Sequence, residues 1–130
     1  MPEPRAKTLE FAASVGRDGH IEALGESIRP PESWEAEHLV LAGLVRCSLE
    51  SLRYHARRAG IEVSASGEAS GRVTKRGEDG RYAFVEIECR LDVALTPQAE
   101  DLAGLLAKAE RDCFVGASLT AKPRYVWSVA

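Results

Sequence analysis

The sequence predicts a single α+β domain, residues 1–130, in which an antiparallel sheet packs on a long central helix and a second helix. Residues 34–58 contain no proline and carry apolar residues on more than one helical stripe, which is typical of a buried helix. Residues 85–95 alternate apolar and polar side chains, as in a strand with one packed face and one wet face. The predicted order is strand, strand, long helix, strand, strand, helix, strand.

The first third of the chain is predicted to form a hairpin and a loop. Alternating apolar side chains indicate a strand near residues 7–15. Gly16–Gly19 indicates a turn, and residues 20–24 indicate a return strand. Residues 25–33 contain two prolines and are expected to form an extended loop before the long helix. We expect that helix to be buried around most of its circumference. Gly43 within it suggests a close approach by another backbone or helix.

After the long helix, residues 61–75 indicate one irregular strand, and residues 78–80 indicate the turn that leads to the alternating strand. Thr96-Pro97 is predicted to begin the second helix, with the threonine as cap and the proline in the first helical position. That helix is expected to end near Cys113. Residues 124–129 indicate the last strand.

Composition excludes several functional classes. A net charge of −3 without a basic stripe argues against a nucleic-acid partner. The first fifteen residues lack the apolar core of a secretion signal, and no apolar run is long enough to span a membrane, so we expect a cytoplasmic protein. Three cysteines without a CxxC motif argue against a disulfide framework and a zinc site, and we expect no metal or bound cofactor.

The three thiols are the candidate functional groups, because a thiol in a reducing compartment is either an inert core group or a working one. Cys89 lies in the apolar row of the alternating strand and is expected to be a core residue. Cys47 and Cys113 each lie on a predicted helix with polar neighbours. From the residues alone, an inert core role remains the commoner alternative for these two as well.

The spacing around the two helical thiols is similar to that of a known family. In the segment EHLVLAGLVRC, Glu37 stands ten positions before Cys47, and Gly43 stands four before it. Cys113 follows Cys47 by 66 positions and is itself followed by Val115 and, four positions later, a leucine. This pattern, with the Gly-Arg-Asp-Gly turn near the N-terminus, resembles the osmotically inducible protein C and organic hydroperoxide resistance proteins (OsmC/Ohr).

The resemblance implies an OsmC-like intertwined homodimer and a cysteine-based peroxidase acting on organic hydroperoxides or hydrogen peroxide. Cys47 would be oxidised to a sulfenic acid, and Cys113 would condense with it to a disulfide. Arg17, or alternatively Arg29, would keep Cys47 charged while held by Glu37. An external dithiol, dihydrolipoamide or a lipoylated protein, would reduce the disulfide. The alternative is a catalytically idle dimer of the same fold that binds a small apolar ligand at its interface.

The spacing of Glu37 and Cys47 leaves two geometric possibilities open. On one continuous helix, ten residues separate them by about 15 Å, too far for contact within a chain. Either Glu37 precedes the helix and folds back, or it reaches Cys47 of a second copy. A helix this apolar suits two copies packed about a two-fold axis.

Overall fold

The computed structural model describes residues 6–130, which divide into two units, one ending at Glu35 and one running from Ala36 to Ala130. The N-terminal unit contains a three-stranded antiparallel sheet in the order β1-β2-β3. Its strands are short: β1 is Ser14–Val15, β2 is Ile21–Ala23 and β3 is Glu26–Ile28.

The hairpin predicted in the N-terminal unit is present, but two predictions there are wrong. Only the last two residues of the expected strand at 7–15 are β-structure, and the side chains of Leu9 and Phe11 are exposed. Residues 25–33 are not all loop, because β3 pairs with β2. Leu24 and Gly25 join these strands with φ values of 55° and 76°, a two-residue turn with both residues left-handed. Leucine rarely adopts that conformation, so the sequence gives no signal for the turn.

The long helix α1 spans Ala36–Arg58, in agreement with the prediction. Gly60, with φ of 73°, follows its end; its N–H donates to the Arg57 carbonyl, and the Ile61 N–H donates to the Ala56 carbonyl. These two bonds form a Schellman motif and satisfy carbonyls at the helix end. Glycine suits this left-handed position because it has no Cβ.

In the single chain, helix α1 is buried along one stripe, so the residues that the structure describes do not by themselves bury most of its circumference. Its buried residues form one stripe that faces the sheet and the other helices: Leu44, Ser48, Leu49, Ser51, Leu52 and Ala56. Val40 is exposed, and a Cβ built on Gly43 meets no atom of the described chain within 4 Å. The close approach predicted at Gly43 is not made by residues 6–130 of the same chain.

The second unit contains a sheet in the order β4-β5-β6, with β4 at Glu62–Lys75, β5 at Tyr82–Thr96 and β6 at Arg124–Val129. Strands β4 and β5 are antiparallel, as predicted, but β6 runs parallel to β5, so the sheet is mixed. The prediction of a wholly antiparallel sheet is wrong because the helices between β5 and β6 return the chain to the starting end of β5. A Cβ on Gly67 of β4 would lie 3.0 Å from Val45 Cγ1, so this glycine lets α1 pack closely on the sheet.

Two helices follow β5: α2 at Leu102–Arg111 and α3 at Phe114–Ser118. Thr96 does not cap α2, contrary to prediction, because it is the last residue of β5 and is still paired with Glu62. The cap is Asp101, whose Oδ1 accepts a hydrogen bond from the Gly104 N–H at 2.9 Å. The predicted cap, Thr96, lies five residues before the observed one, because threonine followed by proline can also end a strand.

The core lies between the β4-β5-β6 sheet and the helices. Alternate residues of β5 supply one side of it, and α1 and α2 supply most of the other: Ile87, Cys89, Leu91, Val93, Leu95, Leu44, Leu52, Leu105 and Ala109. The α+β class and the packed row of β5 are therefore confirmed. Among residues 6–130, no helix combines the length and apolar character needed to cross a membrane.

Candidate active site

The fold brings Cys47 and Cys113 together although 66 positions separate them in sequence. Cys47 lies on α1, one residue before the buried Ser48, and Cys113 is the residue immediately before α3. Their thiols are hydrogen-bonding neighbours, and both are reduced. Cys47 is partly exposed, whereas Cys113 is completely buried. The two thiols are therefore neighbours in the fold, and Cys47 is the more accessible of the two.

The first turn of α3 supplies backbone donors to Cys47. Burial raises the pKa of the Cys47 thiol, and its contact with Cys113 acts in the same direction, while the N–H groups of Val115 and Phe114 partly offset this increase. Cys47 lies in the middle of α1 and gains no support from the start of its own helix. The start of α3 provides that help instead. In the part of the chain that the structure describes, none of the groups that set this pKa is a cation.

Cys113 has more polar contacts than Cys47. Burial alone would raise the pKa of the Cys113 thiol, but hydrogen bonds from Ser48, the Gly116 N–H, Cys47 and Tyr125 outweigh burial, so the pKa is lowered. The Gly116 N–H and the Ser48 Oγ each lie 3.4 Å from the Cys113 sulfur. Two thiols in contact titrate as a pair that shares one negative charge. In the single chain the charge is more stable on Cys113.

Cys89, which the sequence placed in the core, is fully buried on β5 and lies close to the same serine. Burial raises the pKa of its thiol to about 11, and the Ser48 hydrogen bond offsets only part of that increase. At neutral pH Cys89 is therefore a protonated thiol, which is a poor nucleophile. This chemistry agrees with its predicted role as a core residue.

Polar side chains on α1 form hydrogen bonds with the end of α2 and thereby position Cys113. Ser51 Oγ donates to the Ala109 carbonyl at 2.8 Å, and His55 Nε2 lies 2.7 Å from Asp112 Oδ2. The Ala109 carbonyl belongs to the last turn of α2, where carbonyls lack partners within their own helix. Because Cys113 directly follows Asp112, these contacts limit the movement of its backbone.

Glu37 does not meet Cys47 within the chain. It is the second residue of α1, so about 15 Å of continuous helix separates it from Cys47. The possibility that Glu37 precedes the helix and folds back is therefore wrong. Arg17 and Arg29 are exposed residues of the N-terminal unit, on the β1–β2 turn and just after β3 respectively.

The described residues contain no group of three or more histidine, cysteine or acidic side chains that could hold a metal ion. A groove of about 640 Å³ lies between α1 and β4, lined in part by Leu41, Val45 and Leu49, with His38 at its edge. Cys47 is not among its lining residues. The groove could hold an apolar molecule, but it is not the space in front of the thiol.

Two residues of this site were not predicted from the sequence. Ser48 follows Cys47 directly and lies in the same buried stripe as Leu44 and Leu52, so a polar residue in an apolar stripe was an available signal. Tyr125 is 77 positions away from Ser48 and reaches it only because β6 pairs in parallel with β5. No local pattern indicates that contact.

Solved structures of similar fold span nearly the whole chain. An OsmC-like protein of Vibrio cholerae matches with a TM-score of 0.75 and 18% identity, covering 92% of this chain and 99% of that one. An OsmC-like protein of Mycoplasma pneumoniae matches with a TM-score of 0.68 and 16% identity, covering 97% and 98%. An organic hydroperoxide resistance protein of Bacillus subtilis matches with a TM-score of 0.57 and 22% identity, covering 95% and 98%. At these identities the matches establish the fold.

The family assignment comes from the sequence itself. A search of curated proteins finds no match. The family model described as OsmC-like protein matches residues 30–128, a range that includes α1, Cys47, Cys113, β4, β5 and all but the last residue of β6. This match covers more than half of the chain and agrees with the fold, and it establishes that the chain belongs to the OsmC-like protein family.

Proposed function

We propose that this protein is a cysteine-based peroxidase that reduces organic hydroperoxides. The observation that carries the proposal is the contact between Cys47 and Cys113, one partly exposed and the other buried. A peroxidase of this type needs one thiol that the peroxide can reach and a second thiol close enough to remove the oxidised product before further oxidation. Among the similar structures, several are described as organic hydroperoxide resistance proteins.

The reaction begins at Cys47. Its thiolate attacks the terminal oxygen of the hydroperoxide, the O–O bond breaks, and the departing alkoxide takes a proton to become an alcohol. Cys47 is left as a sulfenic acid. The thiolate of Cys113 then attacks the Cys47 sulfur, the S–O bond breaks, and hydroxide leaves as water. The product is a Cys47–Cys113 disulfide, which an external dithiol such as dihydrolipoamide reduces.

The shared charge must move from Cys113 to Cys47 before the first step. Backbone N–H groups of Phe114 and Val115 support a thiolate at Cys47, but burial opposes it. A guanidinium near Cys47 would reverse the balance, since an opposite charge within about 4–6 Å lowers a pKa by about 1–3 units. We propose Arg17 for this role, with Arg29 as the alternative, and Glu37 as the carboxylate that holds the guanidinium.

Because Glu37 cannot reach Cys47 of its own chain, we propose that the active site is completed in a homodimer. Two features of the protomer support this. The side of α1 around Val40 and Gly43 has open space beside it, and large apolar side chains of the N-terminal unit are exposed, including Phe11, Leu24 and Ile28. Exposed apolar surface of this kind is typical of an interface.

The proposal is tested by measuring consumption of cumene hydroperoxide with dihydrolipoamide as reductant. We expect Cys47→Ser to be inactive. Cys113→Ser should react once and then over-oxidise, with sulfinic acid at Cys47 detected by mass spectrometry. Cys89→Ala is the matched control, because it removes the third thiol, and it should retain activity. Activity of Cys47→Ser equal to that of the wild type would contradict the peroxidase and favour an idle dimer that holds an apolar ligand.

A further inference from the structure

The buried sulfur of Cys113 lies among hydrogen-bond donors that the reaction with peroxide does not use. Ser48 Oγ and the Gly116 N–H each lie 3.4 Å from it, and the Tyr125 hydroxyl is a further partner. Ser48 is completely buried, and its Oγ is 3.3 Å from the Tyr125 hydroxyl. Three donors thus converge on one sulfur that solvent does not reach.

The close approach of Tyr125 depends on Gly116. A Cβ at position 116 would lie 2.9 Å from the Tyr125 hydroxyl, so a larger residue there would displace that hydroxyl, whereas the Cys113 sulfur, at 3.5 Å, would be in ordinary contact. Burial raises the pKa of the Tyr125 hydroxyl far above its ordinary value. Tyr125 is therefore protonated throughout the physiological pH range and always has a proton to donate.

Ser48 can change its hydrogen bonding with the charge state of Cys113. Its hydroxyl donates to the Leu44 carbonyl at 2.8 Å, so with a protonated Cys113 the serine oxygen accepts the S–H. When Cys113 is a thiolate, the same hydroxyl can turn toward the sulfur and donate to it. A serine on a helix readily donates to the carbonyl four residues earlier. Rotation of the Ser48 hydroxyl therefore exchanges the Leu44 carbonyl for the Cys113 sulfur as the acceptor.

The two sulfurs also differ in accessibility. Cys113 is completely buried, whereas Cys47 is partly exposed. In a disulfide between them, an incoming thiolate reaches Cys47 first. The rate of thiol–disulfide exchange depends on which sulfur is attacked and rises as the pKa of the departing thiol falls.

We propose that Ser48 and Tyr125 are catalytic residues of the reductive step, stabilising Cys113 as the leaving thiolate while the reductant attacks Cys47. This inference rests on the proposed function, because it concerns reduction of the same disulfide. The reductant is a dithiol. Its first thiolate forms a bond to the Cys47 sulfur, the Cys47–Cys113 bond breaks, and Cys113 departs with the electron pair.

The second half of the reduction returns Cys47 to its starting state. The remaining thiol of the reductant loses its proton and attacks its own sulfur in the mixed disulfide. That bond to Cys47 breaks, Cys47 leaves as a thiolate, and the reductant becomes a cyclic disulfide. Two electrons pass from the dithiol to the protein, and its two protons are available to the two cysteine thiols.

The sulfur that the reductant attacks can be identified with a monothiol, because a monothiol cannot complete the second half of the disulfide reduction. We would form the disulfide with diamide, add 2-mercaptoethanol briefly, alkylate free thiols and map both modifications by mass spectrometry. We expect mercaptoethanol on Cys47 and the alkyl group on Cys113. The reverse pattern, with mercaptoethanol on Cys113, overturns the proposal.

The role of the donors is tested by timing disulfide reduction in Ser48→Ala and Tyr125→Phe. Each loses one donor to the leaving sulfur, and we expect reduction to slow about tenfold, the effect of a hydrogen bond to a charged group. Oxidation of Cys47 by peroxide should change less than about twofold. Ser118→Ala and Tyr82→Phe are matched controls: Ser118 makes the same bond to a carbonyl four residues earlier, and both residues are exposed.

To distinguish loss of a donor to the Cys113 thiolate from a purely structural effect of the variants, Cys113 is titrated in a Cys47→Ser background. The titration is followed by the ultraviolet absorbance of the thiolate. We expect Ser48→Ala to raise the pKa of Cys113 and Ser118→Ala to leave it unchanged. Unchanged reduction rates and an unchanged pKa in both donor variants would overturn the proposal. If peroxide is not consumed but the diamide disulfide still behaves as described, only the proposed function fails. If diamide forms no Cys47–Cys113 disulfide, both fail.

Discussion

At the scale of single residues, the polar groups that face each sulfur decide how one negative charge is shared. Cys113 has donors from Ser48, Gly116 and Tyr125, and these lower its pKa despite burial. Cys47 has two backbone N–H groups, which do not offset its burial. In the proposed reaction, this arrangement favours the departure of Cys113 as a thiolate, whereas attack by Cys47 would need an additional cation.

The candidate for that cation is Arg17, and this gives a prediction. We expect Arg17→Ala to slow the oxidation of Cys47 by roughly tenfold or more, because the thiolate fraction falls when the pKa of Cys47 rises. The measurement is the single-turnover rate with cumene hydroperoxide as a function of pH. In the variant, the rate should rise at a higher pH than in the wild type.

Two further variants make the assignment specific. Arg57→Ala removes an exposed cation at the end of α1 and should leave the oxidation rate unchanged. If Arg29→Ala shifts the pH profile and Arg17→Ala does not, then Arg29 is the activating residue. A normal profile in both variants would contradict activation by either arginine.

At the scale of secondary-structure elements, the junction of α2 and α3 determines where Cys113 stands. Hydrogen bonds from Ser51 and His55 on α1 fix the last turn of α2, and α3 begins immediately after it. Asp112 is the centre of this junction, since its carboxylate contacts both Arg111 and His55. The position of Cys113 relative to Cys47 therefore depends on the ionisation of the Asp112 carboxylate.

The stability of this junction is predicted to depend on pH. The pKa of Asp112 is lowered to about 2, first by the Arg111 hydrogen bond and then by His55. Because the folded-state pKa lies below the unfolded value near 3.9, the carboxylate stabilises the fold above pH 4. That contribution is lost as the pH falls from about 4 to about 2.

We expect Asp112→Asn to be less stable than the wild type at neutral pH and to lose less of its stability across that acid range. The carboxylate is partly exposed, so solvent screening limits the effect to about 1 kcal/mol or less. Urea unfolding at several pH values measures it, and Asp92→Asn, an exposed residue of β5, is the control. Parallel pH curves for wild type and Asp112→Asn would contradict the prediction.

The elements with a local signal could be predicted from the sequence. The alternation of β5 and the apolar run of α1 depend on neighbouring residues, and the sequence predicts both elements correctly. The left-handed Leu24, the parallel pairing of β6 and the approach of Tyr125 to Ser48 were missed. The β6 pairing and the Tyr125 contact join residues that are far apart in the chain, and the Leu24 turn uses a residue that rarely adopts the left-handed conformation. The two thiols were found because their spacing resembles a family pattern, whereas the donors around Cys113 follow no such pattern.

At the scale of the whole molecule, the proposed homodimer makes Gly43 a test of assembly. A Cβ there meets no atom of the described chain within 4 Å, and alanine in a helix interior is more stable than glycine by about 1 kcal/mol. A functional monomer would therefore become more stable with Gly43→Ala. If a second copy packs closely on α1, the added methyl group weakens association instead.

We expect weaker association, with a dissociation constant raised roughly tenfold, measured by light scattering across a dilution series. Gly77→Ala also places its Cβ in open space, away from α1, and should leave the dissociation constant unchanged. A fully active monomer of the wild-type protein, or an unchanged dissociation constant for Gly43→Ala, would contradict close packing of two copies at this glycine.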